Sequence, residues 1–211
     1  MKRLARAQPL ASDPQLHAHL LRDRYGTFRL TRAIRPGPEL TIIPQAGYRV
    51  ESRHRPLPRL AASVSAELLF PVFLDLLAVL GEEVDVHLQS SHQVGRLDYV
   101  RRSIDRPVLM SHCVEFEELL LHDGCTGLVV LDTANYREVH FDEHKVLIVY
   151  AENWHPFANV LDGYGIPRLD NLGLILEATH YHCSRPEYAA QVRQLAHFLG
   201  AETLLGTVWD T

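Results

Sequence analysis

Three short greasy segments constrain the fold of this chain more than any other feature: "GLVVL" at 127–131, "KVLIVY" at 145–150 and "LGLILE" at 172–177. A strand with one face in water alternates apolar and polar residues. A strand that reads apolar almost throughout is covered on both faces. From residue 82 onward, segments of strand character alternate with helical patterns. The sequence therefore predicts an α/β (or α+β) fold, a mixed β-sheet with helices packed on it.

The helical patterns carry their own punctuation. "SVSAELLFPVFLDLLAVLG" (63–81) reads as a helix ending at Gly81, beginning or kinking at Pro71. "CVEFEELLLHDG" (113–124) closes at Asp123-Gly124, "HPFANVLDGYG" (155–165) is a short helix, and "PEYAAQVRQLAHFLG" (186–200) starts on proline and ends before glycine. "EVDVHLQ" (83–89) alternates as a strand, 97–104 reads as partly helical, and "REVHFDEHKVLIVYAE" reads as a hairpin around "DEH". "LGLILEATHYH" is expected to be one strand that turns polar at its end.

Residues 1–60 read as a basic N-terminal extension packed on an α/β core at 61–211, the whole making one compact domain. The extension holds a short helix (13–26, with Asp13 as N-cap), a β-hairpin turning at Pro36-Gly37, and an alternating strand at 48–55. It carries twelve Lys/Arg against four Asp/Glu, whereas residues 61–211 carry nine against twenty-two. Such a split calls for mutual attraction between the two parts, a second copy or protein partner, or an anionic partner. Arg49, Arg53 and Arg55, with Arg29 beside them, are the candidate anion-binding face. Nucleic acid is the less favoured partner, because Phe28 and Tyr48 are expected to point inward and no stacking aromatics interleave the arginines.

Several classes are excluded by what the sequence lacks. No apolar run approaches the length of a membrane span. The basic start has no apolar stretch behind it, so a secretory signal is not expected, and three widely spaced cysteines argue for a reducing cytoplasm. There is no phosphate-binding glycine loop, hence no nucleotide cofactor is inferred. Lysine occurs only at positions 2 and 145 against nineteen arginines, a bias of the kind GC-rich bacterial genomes impose.

Two constellations could carry chemistry. Asp132, Glu152 and Glu177 each end one of the apolar runs. If those runs lie side by side and parallel, their carboxylates meet beyond the strand ends and could hold Mg²⁺ or Mn²⁺. His180 and His182 lie about 6.6 Å apart on one face of a strand, with Cys183 next. They could share a zinc ion if His140 or His144 of the "HFDEH" turn comes alongside. Plainer accounts exist for both: an Asp favoured by any turn, and histidines bonded to backbone or water at a polar strand end. The sequence alone thus reads as a cytosolic binding or interaction protein without established catalysis. Its alternative is a metal-dependent phosphoesterase or nuclease, in which Asp132, Glu152 and Glu177 would hold the metal, His180 or His182 would assist, and the N-terminal arginines would steer phosphate.

Overall fold

The computed structural model describes residues 14–52, 56–93 and 97–204. Among these residues the chain runs α1 (Pro14–Leu21), β1 (Arg24–Tyr25), β2 (Phe28–Arg29), β3 (Ile34–Pro36), β4 (Gly47–Glu51) and β5 (Arg59–Ser63). It continues through α2 (Ala66–Ala78), β6 (Glu83–Ser90), β7 (Leu97–Asp105), α3 (Arg106–Glu115), α4 (Glu117–His122) and β8 (Thr126–Asp132). The remainder is β9 (Arg137–Phe141), β10 (Val146–Tyr150), α5 (His155–Gly163), a 3₁₀ turn (Ile175–Glu177), β11 (His180–His182), α6 (Tyr188–Phe198) and β12 (Glu202–Leu204).

The architecture is mixed α/β, with helices on a large sheet of strand order β12-β7-β6-β8-β9-β10-β5-β4. Every neighbouring pair in that sheet is antiparallel. Strand periodicity sorts the side chains into two layers. Leu60, Ala62, Val86, Leu88, Leu128, Val130, Val139, Phe141, Leu147 and Val149 face the helices, which close the main core with Leu69, Phe73, Leu76, Leu109, Leu119, Phe157 and Leu195. The Phe73 and Phe141 rings meet edge to face at 4.9 Å, a preferred aromatic arrangement.

Ala61, Val146 and Ile148 point to the opposite face, where Leu172 and Leu174 cover them. β10 is thus covered on both faces, as its continuous apolar run requires. The "LGLILE" segment has a different role from the one its composition suggested. It is not a sheet strand but the second-face cover, folded through a short 3₁₀ turn, and an extended chain lying across a sheet needs the same apolar residues as a strand within it.

Three further expectations are corrected. Residues 27–45 do not fold into a hairpin around Pro36-Gly37. A small hairpin forms earlier, across Gly26, and β3 pairs instead with β11 from the far end of the chain. Gly37 is needed there for close approach: its N–H donates to the Thr179 carbonyl at 2.6 Å, and a Cβ would stand 2.8 Å from that oxygen. The stretch between the expected strand at 48–55 and the expected helix at 63–81, to which the sequence assigns no element, forms β5, whose Leu60, Ala61 and Ala62 are fully buried, because sheet position overrides alanine's weak strand preference. Residues 97–104 are strand β7 rather than part helix, held between β6 and β12. The predicted helix at 113–124 is two helices, α3 and α4, breaking at Phe116. The sheet also takes in β4, so the basic N-terminal segment contributes an edge strand to the same sheet as the rest.

Candidate metal centre

The turn "DEHK" between β9 and β10 is built around the Asp142 carboxylate. Its Oδ1 accepts the His144 amide at 2.8 Å and also the His144 Nδ1–H. Lys145 closes the turn in the left-handed region at φ 61°, a conformation that costs a non-glycine residue about 1–2 kcal/mol. The side chain of Lys145 offsets this by running inward over the Phe141 ring and donating from Nζ to the Thr126 carbonyl at 2.9 Å. The turn thereby holds the His144 ring outward in one orientation.

The other two imidazoles arrive on β11. Pairing with β3 (His180 opposite Pro36, His182 opposite Ile34) makes a two-stranded ribbon, and the residue spacing puts both rings on one face. The His180 Nδ1 is 2.8 Å from the Ala178 carbonyl, and the His182 Nδ1 bonds the Gly124 carbonyl. A carbonyl can only accept, so each Nδ1 carries the proton and each Nε2 is left with a lone pair. The same reasoning applies to His144 against the Asp142 carboxylate. The three rings lie within 4.7 to 5.1 Å of one another by centroid, and one ring nitrogen from each comes within 4.8 Å of the other two. The His180 and His182 Nε2 atoms stand 3.2 Å apart. Two nitrogens bound to one tetrahedral zinc at about 2.0–2.1 Å are separated by about 3.3 Å.

The electrostatics fit a cation. Burial, helped by the adjacent His144 and His182 rings, pulls the His180 imidazole below its ordinary range, against the opposing pull of the Ala178 carbonyl. This keeps it neutral and able to ligate. Burial pushes the Asp142 carboxyl up, but the His144 ring and amide and the Lys145 ammonium outweigh it, so the group stays ionised below the usual range. A carboxylate behind one ligating imidazole and carbonyls behind the other two is the outer arrangement that fixes tautomer and ring direction at histidine metal sites.

A second convergence, His92 with Asp123 and Cys125, lies next door. It is held together by hydrogen bonds instead. Fully buried Asp123 takes the His92 Nε2 at 2.7 Å, the Thr126 hydroxyl and the Cys125 amide. Burial and the Asp123 charge push the Cys125 thiol up, so it is protonated and is not an activated nucleophile. Buried Lys145 supplies the neutralising charge: burial lowers its pKa to about 8, opposed by Asp123, Asp142 and Glu143.

The carboxylates expected from the strand ends do not converge, and no group of metal-ligating side chains among the described residues includes them. Buried Asp132 ties a turn, accepting from the Gly81 amide at 2.9 Å and the Asn135 amide at 3.1 Å. Glu152 is exposed at the bend before α5. Glu177 pairs with Arg49 and accepts the Leu174 amide at 3.0 Å. Antiparallel pairing and the absence of 172–177 from the sheet remove the common rim on which that trio depended.

Arg49 does not present a free anion-binding head. It is bonded to Glu177, Glu51 and the Leu172 carbonyl. Arg53 and Arg55 lie outside the described residues. Of the two proposed third ligands, His144 joins the cluster. His140 bonds Glu138 at 2.9 Å and tilts against Tyr150. Sequence reading did not single out Asp142 or Gly124. An Asp two residues before a histidine in a tight turn was the available signal for the first, while the second required knowing where the ribbon lands. No protein-family model, no curated protein and no solved structure matches the chain.

Proposed function

We propose that this protein binds a zinc-type divalent ion through the Nε2 atoms of His144, His180 and His182 and uses the ion's open position to bind and polarise water. One observation carries the reading: all three Nδ1 atoms are engaged by oxygen acceptors, which leaves each neutral ring an unprotonated Nε2, in a cluster where one ring nitrogen of each histidine lies within 4.8 Å of the others. Imidazole sets of this kind suit Zn²⁺, Co²⁺, Ni²⁺ or Cu²⁺ rather than Mg²⁺ or Mn²⁺, which prefer oxygen. Three protein ligands leave a fourth position for water, whose pKa such an ion lowers toward 7. The activity class that follows is metal-assisted hydrolysis. Because three carboxylates, Asp142, Glu143 and Asp123, surround buried Lys145 in the turn that carries His144, neutral esters or amides are favoured over phosphodiesters as substrates. A cytoplasmic setting fits the free thiols Cys113, Cys125 and Cys183.

The test is a titration of metal-free protein with Zn²⁺ and with Co²⁺, followed by assay on activated carboxylic and phosphoric esters. One equivalent bound, with the visible bands of tetrahedral cobalt, is expected. Loss of binding in none of the three His→Ala variants would overturn the reading. Tight binding without turnover of any ester would assign the ion to the alternative, a binding or interaction protein.

A further inference from the structure

The three imidazoles belong to two separate pieces of the molecule. His144 is fixed in the turn of the main sheet, whereas His180 and His182 ride on the β3–β11 ribbon, which pairs with no strand of that sheet. What seats the ribbon is the chain at Asp123-Gly124-Cys125. The Gly124 N–H donates to the Cys183 carbonyl at 2.8 Å, the Gly124 carbonyl accepts from His182, and Cys183 in turn donates to the Ala33 carbonyl at 2.7 Å. The approach is so close that a Cβ on Gly124 would lie 2.4 Å from the Ala33 oxygen and 2.9 Å from the Cys183 oxygen. No side chain fits there without lifting the ribbon.

We infer that metal occupancy and the seating of the β3–β11 ribbon on Gly124 form one coupled equilibrium, with Gly124 acting as a positioning residue for an ion it does not touch. This rests on the three-histidine reading above. With each Nδ1 donating to a main-chain carbonyl, no N–H of a neutral ring is left to join the two Nε2 atoms 3.2 Å apart, so a cation between them is what would favour the seated arrangement. The ion supplies that cation and at the same time bonds the ribbon to the sheet through His144. By linkage, whatever factor the seated ribbon adds to metal affinity, the metal must add to ribbon seating. The same coupling makes the ribbon the part of the molecule whose opening free energy depends on metal, while the eight-stranded sheet keeps its own.

Hydrogen exchange on the full chain tests this, after binding of Zn²⁺ to the wild type has been measured by titration. The reporting amides are Gly37, Gly124 and Cys183, which donate across the ribbon and its seat. Amides of the β6–β8 pairing serve as the reference. Protection at the three reporters is expected to rise at least tenfold with saturating Zn²⁺, well beyond any change at β6–β8. The Gly124→Ala variant, whose three histidines are intact, should bind Zn²⁺ at least tenfold more weakly. If that variant fails to fold, the exchange experiment on wild type decides alone. Tight zinc binding with unchanged reporter protection would overturn the coupling and leave the metal centre standing. No zinc binding by the wild type would overturn both, and the titration distinguishes the two failures.

Discussion

His180 and His182 point their Nε2 atoms at each other across 3.2 Å while a main-chain carbonyl holds each ring from behind. In the absence of a cation this contact stabilises nothing. The expected outcome is opposite signs in two conditions. With excess Zn²⁺ at a hundred times its Kd, wild type should gain about 2.7 kcal/mol over its metal-free state, and His180→Ala should gain none. In EDTA the same variant should melt no lower than wild type. Thermal melts of both proteins in both conditions check this, and a variant that still responds to zinc would contradict it.

Asp142 should control affinity without being a ligand. Asp142→Asn keeps an acceptor for the turn but removes the charge behind His144, and loss of such outer partners typically weakens metal binding about 10–100-fold. Competitive titration with a zinc-sensitive dye measures it. An unchanged Kd would show that the carboxylate serves the turn alone.

Glu177→Gln separates the present assignment from a carboxylate centre. The pair with Arg49 is half-buried, and Arg49 also grips Glu51 and the Leu172 carbonyl. Burial alone would raise the Glu177 carboxyl, yet the Arg49 guanidinium and the Leu174 amide bring it below the ordinary range. The substitution should cost about 1 kcal/mol in urea denaturation and leave zinc binding untouched. A lost zinc response would return Glu177 to the metal site.

Stability should fall in mild acid because of His122. Burial, with Arg32 adding to it, lowers this imidazole to about 4, and its Nδ1 accepts the Arg32 amide at 3.1 Å, which only the unprotonated ring can do. The unfolded chain binds the proton near pH 6.5 and the folded one only near 4. Stability therefore rises with pH between those values and is lost as pH falls through them. After allowance for solvent screening the contribution is about 1–2 kcal/mol. His122→Gln should flatten the urea midpoint between pH 6.5 and 4, and an unchanged slope would refute it.

Lys145 acts in the same sense at higher pH, its folded value being about 8 against 10.5 for the free amine. Between those values the unfolded state holds the extra proton, so wild type should strengthen relative to Lys145→Met as pH rises from 8 to 10.5. Paired denaturation curves across that window are the check, and a constant difference would place the amine in a more hydrated environment.

Local grammar was the readable part of the sequence. The β9–β10 hairpin, the α6 helix stopped by Gly200, and β10 covered on both faces all follow from periodicity and punctuation within a few residues. The His180/His182 pair was visible for the same reason. What could not be read was long-range. Nothing in "AIRPG" announces that it pairs with "HYH" near the other end of the chain, and nothing in "LGLILE" separates a strand from a strip laid across a sheet. The carboxylate trio failed at that step, since it assumed a parallel neighbour relationship that side-chain pattern alone does not encode. His144 entered only as a conditional third ligand because its condition was itself a tertiary contact.

The late partner of β3 has a consequence for biosynthesis. Its one strand neighbour among the described residues is β11, so the nascent N-terminal segment leaves the ribosome long before that neighbour is translated. Contacts so distant along the chain are slow to close. The pairing edge of Ile34–Pro36 must stay unclaimed while strands β4 to β10 of the sheet are made, and the segment that ends the wait is the one that carries His180 and His182.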